Sequence, residues 1–140
     1  MRRHYIERMP TAVANGDLVR GLFRAFTERD TPALEEIIAE NAVWHVPGRS
    51  RLAGEHRGRA AVLAYFTGLS QRTGGTFKVE IIDVFATETR AVAWARATGQ
   101  RGPGMSYDGL YCLVVSIEGY QIVEGWLMPA DLYAFDEFLA

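Results

Sequence analysis

The chain has 140 residues, of which 49% are hydrophobic and 23% are charged, a composition typical of a soluble globular domain. This length allows one domain with a core and is too short for two ordinary ones, so residues 1–140 are expected to form a single domain. A formal net charge of −2 gives no whole-molecule attraction to nucleic acid or to an anionic membrane. With one cysteine and no apolar run of ~20 residues, neither a disulfide framework nor a membrane span is expected, and the protein is interpreted as cytoplasmic.

Helical patterns occupy the first part of the chain. Residues 1–14 have weak periodicity and are expected to form an arm or a capping segment. From Asp17 onward, apolar residues recur at helical spacing and predict an amphipathic helix. Thr31 is expected to cap a second, short helix over 33–40, because Pro32 in its first turn has no N–H group to leave unpaired.

Strand patterns dominate the rest of the chain. A short strand over 42–46 ends at Pro47, and after a loop Gly58 opens a third helix that closes at the glycines of positions 74 and 75. Runs rich in Val, Ile and aromatic residues then predict four long strands, over 77–85, 91–98, 107–117 and 121–128. Short connections favour hairpins, and long strands curl. The sequence therefore predicts an α+β fold in which a curled, mainly antiparallel sheet forms a cone and three N-terminal helices pack on its concave face.

Three segments carry a family resemblance: NAVWHVPG at 41–48, LAGEHRGRAAVLAYF at 52–66 and IVEGWLMPADLYAFDEFL at 122–139. With the order of elements from Asp17 to Phe138, they resemble the SnoaL-like polyketide cyclases and the wider superfamily of ketosteroid isomerase, scytalone dehydratase and nuclear transport factor two. The resemblance implies a mostly apolar pocket at the wide end of the cone, a small apolar or polycyclic organic ligand, and no cofactor. It also implies a symmetric homodimer formed through the convex sheet face.

The same resemblance makes His45 a candidate catalytic residue. It falls on the position of the general base of ketosteroid isomerase, and a histidine with an ordinary pKa of ~6.5 can accept a proton near neutral pH. The tyrosine and the protonated aspartate that stabilise the enolate in that enzyme fall near Leu22 and near Cys112 or Leu113. Because the oxyanion would lack donors here, steroid isomerisation is not expected. The alternative for His45 is a structural histidine bonded to a backbone group or a carboxylate.

Further candidates accompany His45. Glu124 or Asp108 would orient and activate it as a catalytic dyad, and adding Arg96 would resemble the acid, arginine and acid arrangement of limonene-epoxide-hydrolase-like members. The candidates for ligand contact are aromatic residues together with this arginine: Trp44, Phe23, Phe66, Trp94, Tyr111, Trp126 and Arg96. Alternation leaves open which face of the long strands looks into the cone. By the family alignment, His45 points inward and Trp44 packs behind the strand.

Two functions are compatible with these patterns. The first is a cofactor-independent isomerase, cyclase or hydrolase with His45 as general base. The alternative is a non-catalytic ligand-binding or dimerisation module of the same fold. No metal site is expected, because the histidines lack ligand spacing and paired cysteines do not occur. The arginines of the segment over 49–59 are expected to form a solvated rim, with binding of an anionic substrate group as the alternative.

Overall fold

A computed structural model of the chain describes residues 11–140. Within that range it contains four helices and one six-stranded sheet. The helices are α1 (Ala12–Glu28), α2 (Thr31–Ile37), α3 (Arg59–Arg72) and α4 (Leu132–Leu139). The strands are β1 (Ile38–Val46), β2 (Gly54–Arg57), β3 (Lys78–Ala86), β4 (Arg90–Gln100), β5 (Ser106–Glu118) and β6 (Gln121–Pro129).

The first helix begins earlier than predicted. Thr11 is its N-cap, and its Oγ1 accepts a hydrogen bond from the backbone N–H of Ala14 at 2.9 Å. Residues 12–14, which the sequence assigns to an arm or a capping segment, are therefore the first turn of α1. The rest of the predicted arm, over 1–10, lies outside the described residues.

The second helix is shorter than predicted, and its cap is a different residue. Asp30, not Thr31, is the N-cap, with Oδ1 accepting from the N–H of Ala33 at 3.2 Å. A carboxylate caps a helix as well as a hydroxyl does, so either residue satisfies the sequence pattern. The helix ends at Ile37 because the chain from Ile38 onward pairs with β6 as a nine-residue strand.

The sheet has the strand order β2-β1-β6-β5-β4-β3. Four neighbouring pairs are antiparallel, and β1 runs parallel to β6. The predicted mainly antiparallel sheet is therefore confirmed, with the addition of β2 inside a segment that was predicted as a loop. Strands of up to 13 residues curl strongly, and the unclosed sheet wraps around the helices as the predicted α+β cone.

Alternation along β4 shows which side of the sheet fills the cone. Its buried side chains include four alanines, at positions 91, 93, 95 and 97. These small side chains leave space on the concave face, which α1 and α3 cover with residues such as Phe23 and Val62. The tail of the chain folds back on the cone as α4, and its Phe135 and Phe138 pack against Tyr107 of β5.

Candidate ligand-binding site

Trp44 and His45 point to opposite faces of β1, in the reverse of the predicted order. Trp44 is 2% exposed and lies inside the cone, with its ring centroid 5.7 Å from that of Phe66. His45 lies on the convex face, where its ring stacks on Trp126 at 5.3 Å. The prediction that His45 points into the cone is therefore wrong. A strand shifted by one residue would expose the large indole and bury the imidazole. Core packing therefore selects the observed orientation, with Trp44 inside the cone.

The helices and the concave face of the sheet border a small apolar cavity, called the inner chamber, with a volume of about 60 Å³. Aromatic and aliphatic side chains from α1, α3, α4 and the concave face of the sheet line it. Four residues predicted to contact a ligand, Phe23, Trp44, Phe66 and Tyr111, are part of this lining.

A wider cavity, called the outer groove, opens between α1, α3 and the edge strand β3, with a volume of about 770 Å³. Phe26, Phe66, Phe77 and Val79 border both cavities. Phe26 meets Phe66 and Phe77 edge to face, with ring centroids 5.3 and 6.3 Å apart. These three phenylalanines, called the aromatic gate, lie where the inner chamber and the outer groove adjoin.

Tyr65 and Tyr111 bring hydroxyl groups to the apolar lining of the inner chamber. Neither side chain forms a hydrogen bond among residues 11–140, and the fully buried side-chain atom without a partner in that range is Oδ1 of Asn15. Burial raises the pKa of both phenols above the ordinary value of about 10, and the pKa of Tyr111 is raised further by its neighbour Tyr65. Both side chains therefore remain neutral around neutral pH and keep an O–H group that can donate.

His45 sits between two carboxylates on the convex face. Its Nε2 lies 2.6 Å from Oε2 of Glu124, and its Nδ1 lies 3.6 Å from Oε1 of Glu55. Arg57 donates a hydrogen bond to the same Glu55 at 2.7 Å. The structure thus brings His45 and Glu124 together, but neither residue borders the inner chamber or the outer groove. A histidine bonded to a carboxylate is the contact predicted from the sequence as the alternative for His45.

Asp108 is paired with Arg96 and not with His45. The Nε of Arg96 donates to Oδ1 of Asp108 at 2.7 Å, and its Nη2 donates to Oδ2. This pairing holds the pKa of Asp108 below its usual range. The predicted dyad of His45 with Asp108 is therefore wrong, because the arginine on the neighbouring strand takes the carboxylate. Arg96 also borders the outer groove.

Trp94 and Trp126, predicted as walls of the pocket, lie on the convex face. Trp94 is 41% exposed, between two buried alanines of β4 that point the other way. Trp126 carries the stacked ring of His45. The two predictions are wrong for the same reason: both faces of this sheet carry large apolar side chains, so an aromatic residue does not mark the inner one.

Tyr65 is a chamber residue that the sequence reasoning missed. It lies on α3, three residues after Val62 and four before Leu69, both of which are buried. Helical periodicity therefore places Tyr65 on the inward face of α3, and this signal could have identified it.

The described part of the chain lacks two further features. Over residues 11–140, no group of three or more His, Cys, Asp or Glu side chains is placed to hold a metal ion. None of the helices in that range is long and apolar enough to cross a membrane.

The fold and the cavities define a class of protein, a cone-shaped α+β domain with an apolar interior. A family model described as the SnoaL-like domain matches residues 19–125, and the chain belongs to this family. An uncharacterised protein of Mycobacterium tuberculosis (strain ATCC 25618 / H37Rv) is 31% identical over 128 residues, covering 91% of this chain and 97% of that protein.

Solved structures share the whole fold. Bal32a, from a soil-derived mobile gene cassette, is 39% identical with a TM-score of 0.89, over 92% of this chain and 98% of that one. TerC, co-crystallised with polyporic acid, is 16% identical with a TM-score of 0.79, over 90% of this chain and 98% of that one. At that identity the likeness to TerC concerns the fold alone.

Proposed function

We propose that this SnoaL-like protein binds a small, largely apolar organic molecule inside the cone, and that Tyr65 and Tyr111 donate hydrogen bonds to an oxygen atom of the ligand. One observation carries the proposal: two phenols without partners among the described residues line an apolar chamber. A phenol O–H that faces the chamber gains a partner when a ligand oxygen accepts from it, and such a hydrogen bond contributes about 1 kcal/mol.

The lining favours a ligand with rings. Phe23, Trp44 and Phe66 offer aromatic faces and edges to an aromatic or polycyclic molecule. The phenols add a preference for a carbonyl or hydroxyl oxygen. The co-crystallisation of TerC with polyporic acid supports a small organic ligand as the class, because TerC has the same fold.

The inner chamber has to widen to hold such a ligand. Its volume of about 60 Å³ is well below the roughly 300–1,000 Å³ of ordinary ligand sites. The aromatic gate lies between the chamber and the larger outer groove. We therefore propose that the ligand displaces the gate and occupies both spaces.

Binding is favoured over general-base catalysis. The part of the chamber lining that the structure describes contains neither an imidazole nor a carboxylate, and His45 lies on the opposite sheet face. A general base has to come within hydrogen-bonding reach of the proton that it removes. Of the two functions inferred from the sequence, we therefore propose the non-catalytic ligand-binding one.

Calorimetry with two matched probes tests the proposal. 2-Acetylnaphthalene and 2-ethylnaphthalene have similar shapes and differ in the carbonyl oxygen. The wild-type protein is expected to bind the ketone about fivefold more tightly, the effect of one ordinary buried hydrogen bond. Tyr65→Phe and Tyr111→Phe are expected to reduce this preference, whereas Tyr133→Phe, which alters a phenol that is 89% exposed, leaves it unchanged. Failure of both probes to bind, or an unchanged preference in the double variant, would overturn the proposal.

We also propose that two copies of the chain pair through the convex sheet face. Large apolar side chains that are 40–57% exposed form a patch on β3 to β6: Ile82, Phe85, Trp94, Leu110 and Met128. Apolar patches of this kind mark interaction surfaces, and a second copy offers the same patch in a symmetric dimer.

Sedimentation velocity tests the dimer. The wild-type protein is expected to sediment as a dimer at micromolar concentration, and Trp94→Glu as a monomer, because a charge in the centre of an apolar interface loses its water without gaining a partner. Tyr133→Glu places the same charge on the exposed surface of α4 and is expected to remain dimeric. A monomeric wild-type protein contradicts this part of the proposal.

A further inference from the structure

The outer groove is bordered by three cations, against which the acids beside it, Glu80 and Asp108, supply two negative charges. Arg29, Lys78, Arg96 and Glu80 are the charged residues along its described border. Arg96 is bound by Asp108 and is also influenced by Glu80, so its charge is balanced. Within residues 11–140, Arg29 and Lys78 form no ion pair. The outer groove therefore has an excess of positive charge.

Hydrogen bonds of its backbone and of its side chain hold Arg29 in place beside the outer groove. It follows the last residue of α1 with a left-handed backbone (φ 55°), and its N–H caps the helix by bonding the carbonyls of Ala25 and Phe26. Its Nη2 donates to Oγ of Ser70 on α3 at 3.0 Å. A single hydroxyl uses one of the five N–H donors of a guanidinium group. The side chain thus bridges α1 and α3 and keeps donors for a further partner.

We infer that the outer groove binds the carboxylate of an amphiphilic ligand, an aromatic or polycyclic organic acid whose ring system occupies the inner chamber. This inference rests on the proposed function. Arg29 can bind a carboxylate through two parallel hydrogen bonds, and Lys78 adds a second positive charge. Hydroxyl and amide groups of Thr67, Ser70 and Gln71 border the same space and can bind the remaining oxygen lone pairs.

The distribution of charge also fixes the orientation of the ligand. The described lining of the inner chamber has no charged residue, and an ion without a partner is strongly disfavoured in such a place. The aromatic gate borders both cavities, so a molecule that passes it contacts both. The ring system therefore enters the inner chamber, and the carboxylate remains in the outer groove beside Arg29.

Two isosteric probes test this inference, 6-acetyl-2-naphthoate and its neutral analogue 2,6-diacetylnaphthalene. Calorimetry at low ionic strength is expected to show about tenfold tighter binding of the acid, the effect of a hydrogen-bonded charge. Arg29→Gln and Lys78→Gln each reduce the affinity for the acid more than that for the diketone and so reduce the preference, and Arg29→Lys retains part of it. Added salt reduces the preference, because the site is open to solvent.

The matched control is Arg24→Gln, which removes the same charge from an exposed position of α1 outside both cavities. Equal affinity of the wild-type protein for the two probes overturns the inference, as does an equal loss in the Arg24 and Arg29 variants. If the diketone still binds with its dependence on Tyr65 and Tyr111, the proposed function survives that result. If neither probe binds, the proposed function itself fails.

Discussion

Nε2 of His45 lies 2.6 Å from Oε2 of Glu124, across the parallel pair of β1 and β6. The residue that follows Glu124 on β6, Gly125, faces the inside of the cone. Trp126 then lies on the convex face again, under the ring of His45. The hydrogen bond joins residues that lie 79 positions apart in the chain, and the stacking contact adds a second link between the two strands. We interpret this arrangement as a structural contact between β1 and β6, remote from both cavities.

The first prediction follows from that position. Glu124→Gln is expected to lower the free energy of unfolding by no more than about 1 kcal/mol, because partly exposed ion pairs contribute little. Binding of 2-acetylnaphthalene is expected to stay unchanged. Urea denaturation and calorimetry measure the two effects, with Glu118→Gln, an exposed carboxylate at the end of β5, as control. A large loss of ligand affinity in the Glu124 variant alone would place the pair in the binding site.

The order of α1 to α3 and of the five longer strands could be predicted because it depends on local signals, whereas β2 and α4 were not predicted. Turn residues, apolar periodicity and the proline at position 32 each act over a few residues, and the predicted strands recur within a few residues of their observed limits. The length of β1 could not be predicted in this way. Its first residues are strand only because β6 lies beside them, and that contact joins Ile38 to Ile122.

The face of β1 that lies inside the cone could not be predicted either. Alternation shows that Trp44 and His45 lie on opposite faces but not which face is inside. Both faces of the sheet carry aromatic residues, so hydrophobicity did not decide between them: Trp44 is inside, whereas Trp94 and Trp126 are outside. Contacts with α3, such as that of Trp44 with Phe66, select the observed phase, and these are tertiary.

The second prediction concerns Gly125, which lies against the ring of Trp44. A Cβ atom at this position would come within 2.9 Å of Cδ2, Cε3 and Cζ3 of the indole. The indole is enclosed by the core and cannot move away freely. Gly125→Ala is therefore expected to lower the free energy of unfolding by about 1–3 kcal/mol, as overpacking does.

Gly16→Ala is the matched control for this substitution. Its Cβ would make ordinary contacts with Val84 and Ala86, at 3.8 and 3.9 Å. Within α1, alanine is preferred over glycine, so a gain of about 0.5–1 kcal/mol is expected. Urea denaturation of both variants gives the signs, and a neutral Gly125→Ala would show that Trp44 is less tightly held than its contacts indicate.

The third prediction concerns the pKa of Asp108. Arg96 lowers the pKa of Asp108 below its ordinary value of about 3.9 by hydrogen bonding to the carboxylate. Because the folded-state pKa lies below the unfolded one, the contribution to stability is present above about pH 4 and is lost as the pH falls further. An NMR titration is expected to show the lowered value in the wild-type protein and a higher one in Arg96→Gln. Arg90→Gln, on the same strand but outside this pair, is expected to leave it low.

The fourth prediction concerns alkaline pH. Burial raises the pKa of Tyr65 and Tyr111, so the folded protein holds protons that the unfolded chain releases near pH 10. Stability is therefore complete below about pH 10 and declines above it. Ultraviolet titration at alkaline pH is expected to show phenols that ionise only as the fold is lost, and each Tyr→Phe variant removes one of them. Ionisation of all phenols in a fully folded protein would contradict the enclosed position of the pair.

The last prediction tests the aromatic gate. Phe26 makes edge-to-face contacts with both Phe66 and Phe77, and replacing it with leucine keeps an apolar side chain while removing those ring contacts. If the ligand passes between these rings and displaces them, Phe26→Leu raises its association rate and alters its dissociation rate, because the ring contacts that break on entry are absent. Stopped-flow fluorescence with 2-acetylnaphthalene measures both rates. Phe85→Leu, on the exposed convex face, is the control and is expected to leave them unchanged. Equal rates in the Phe26 variant and the wild-type protein would mean that the ligand enters the chamber by another route.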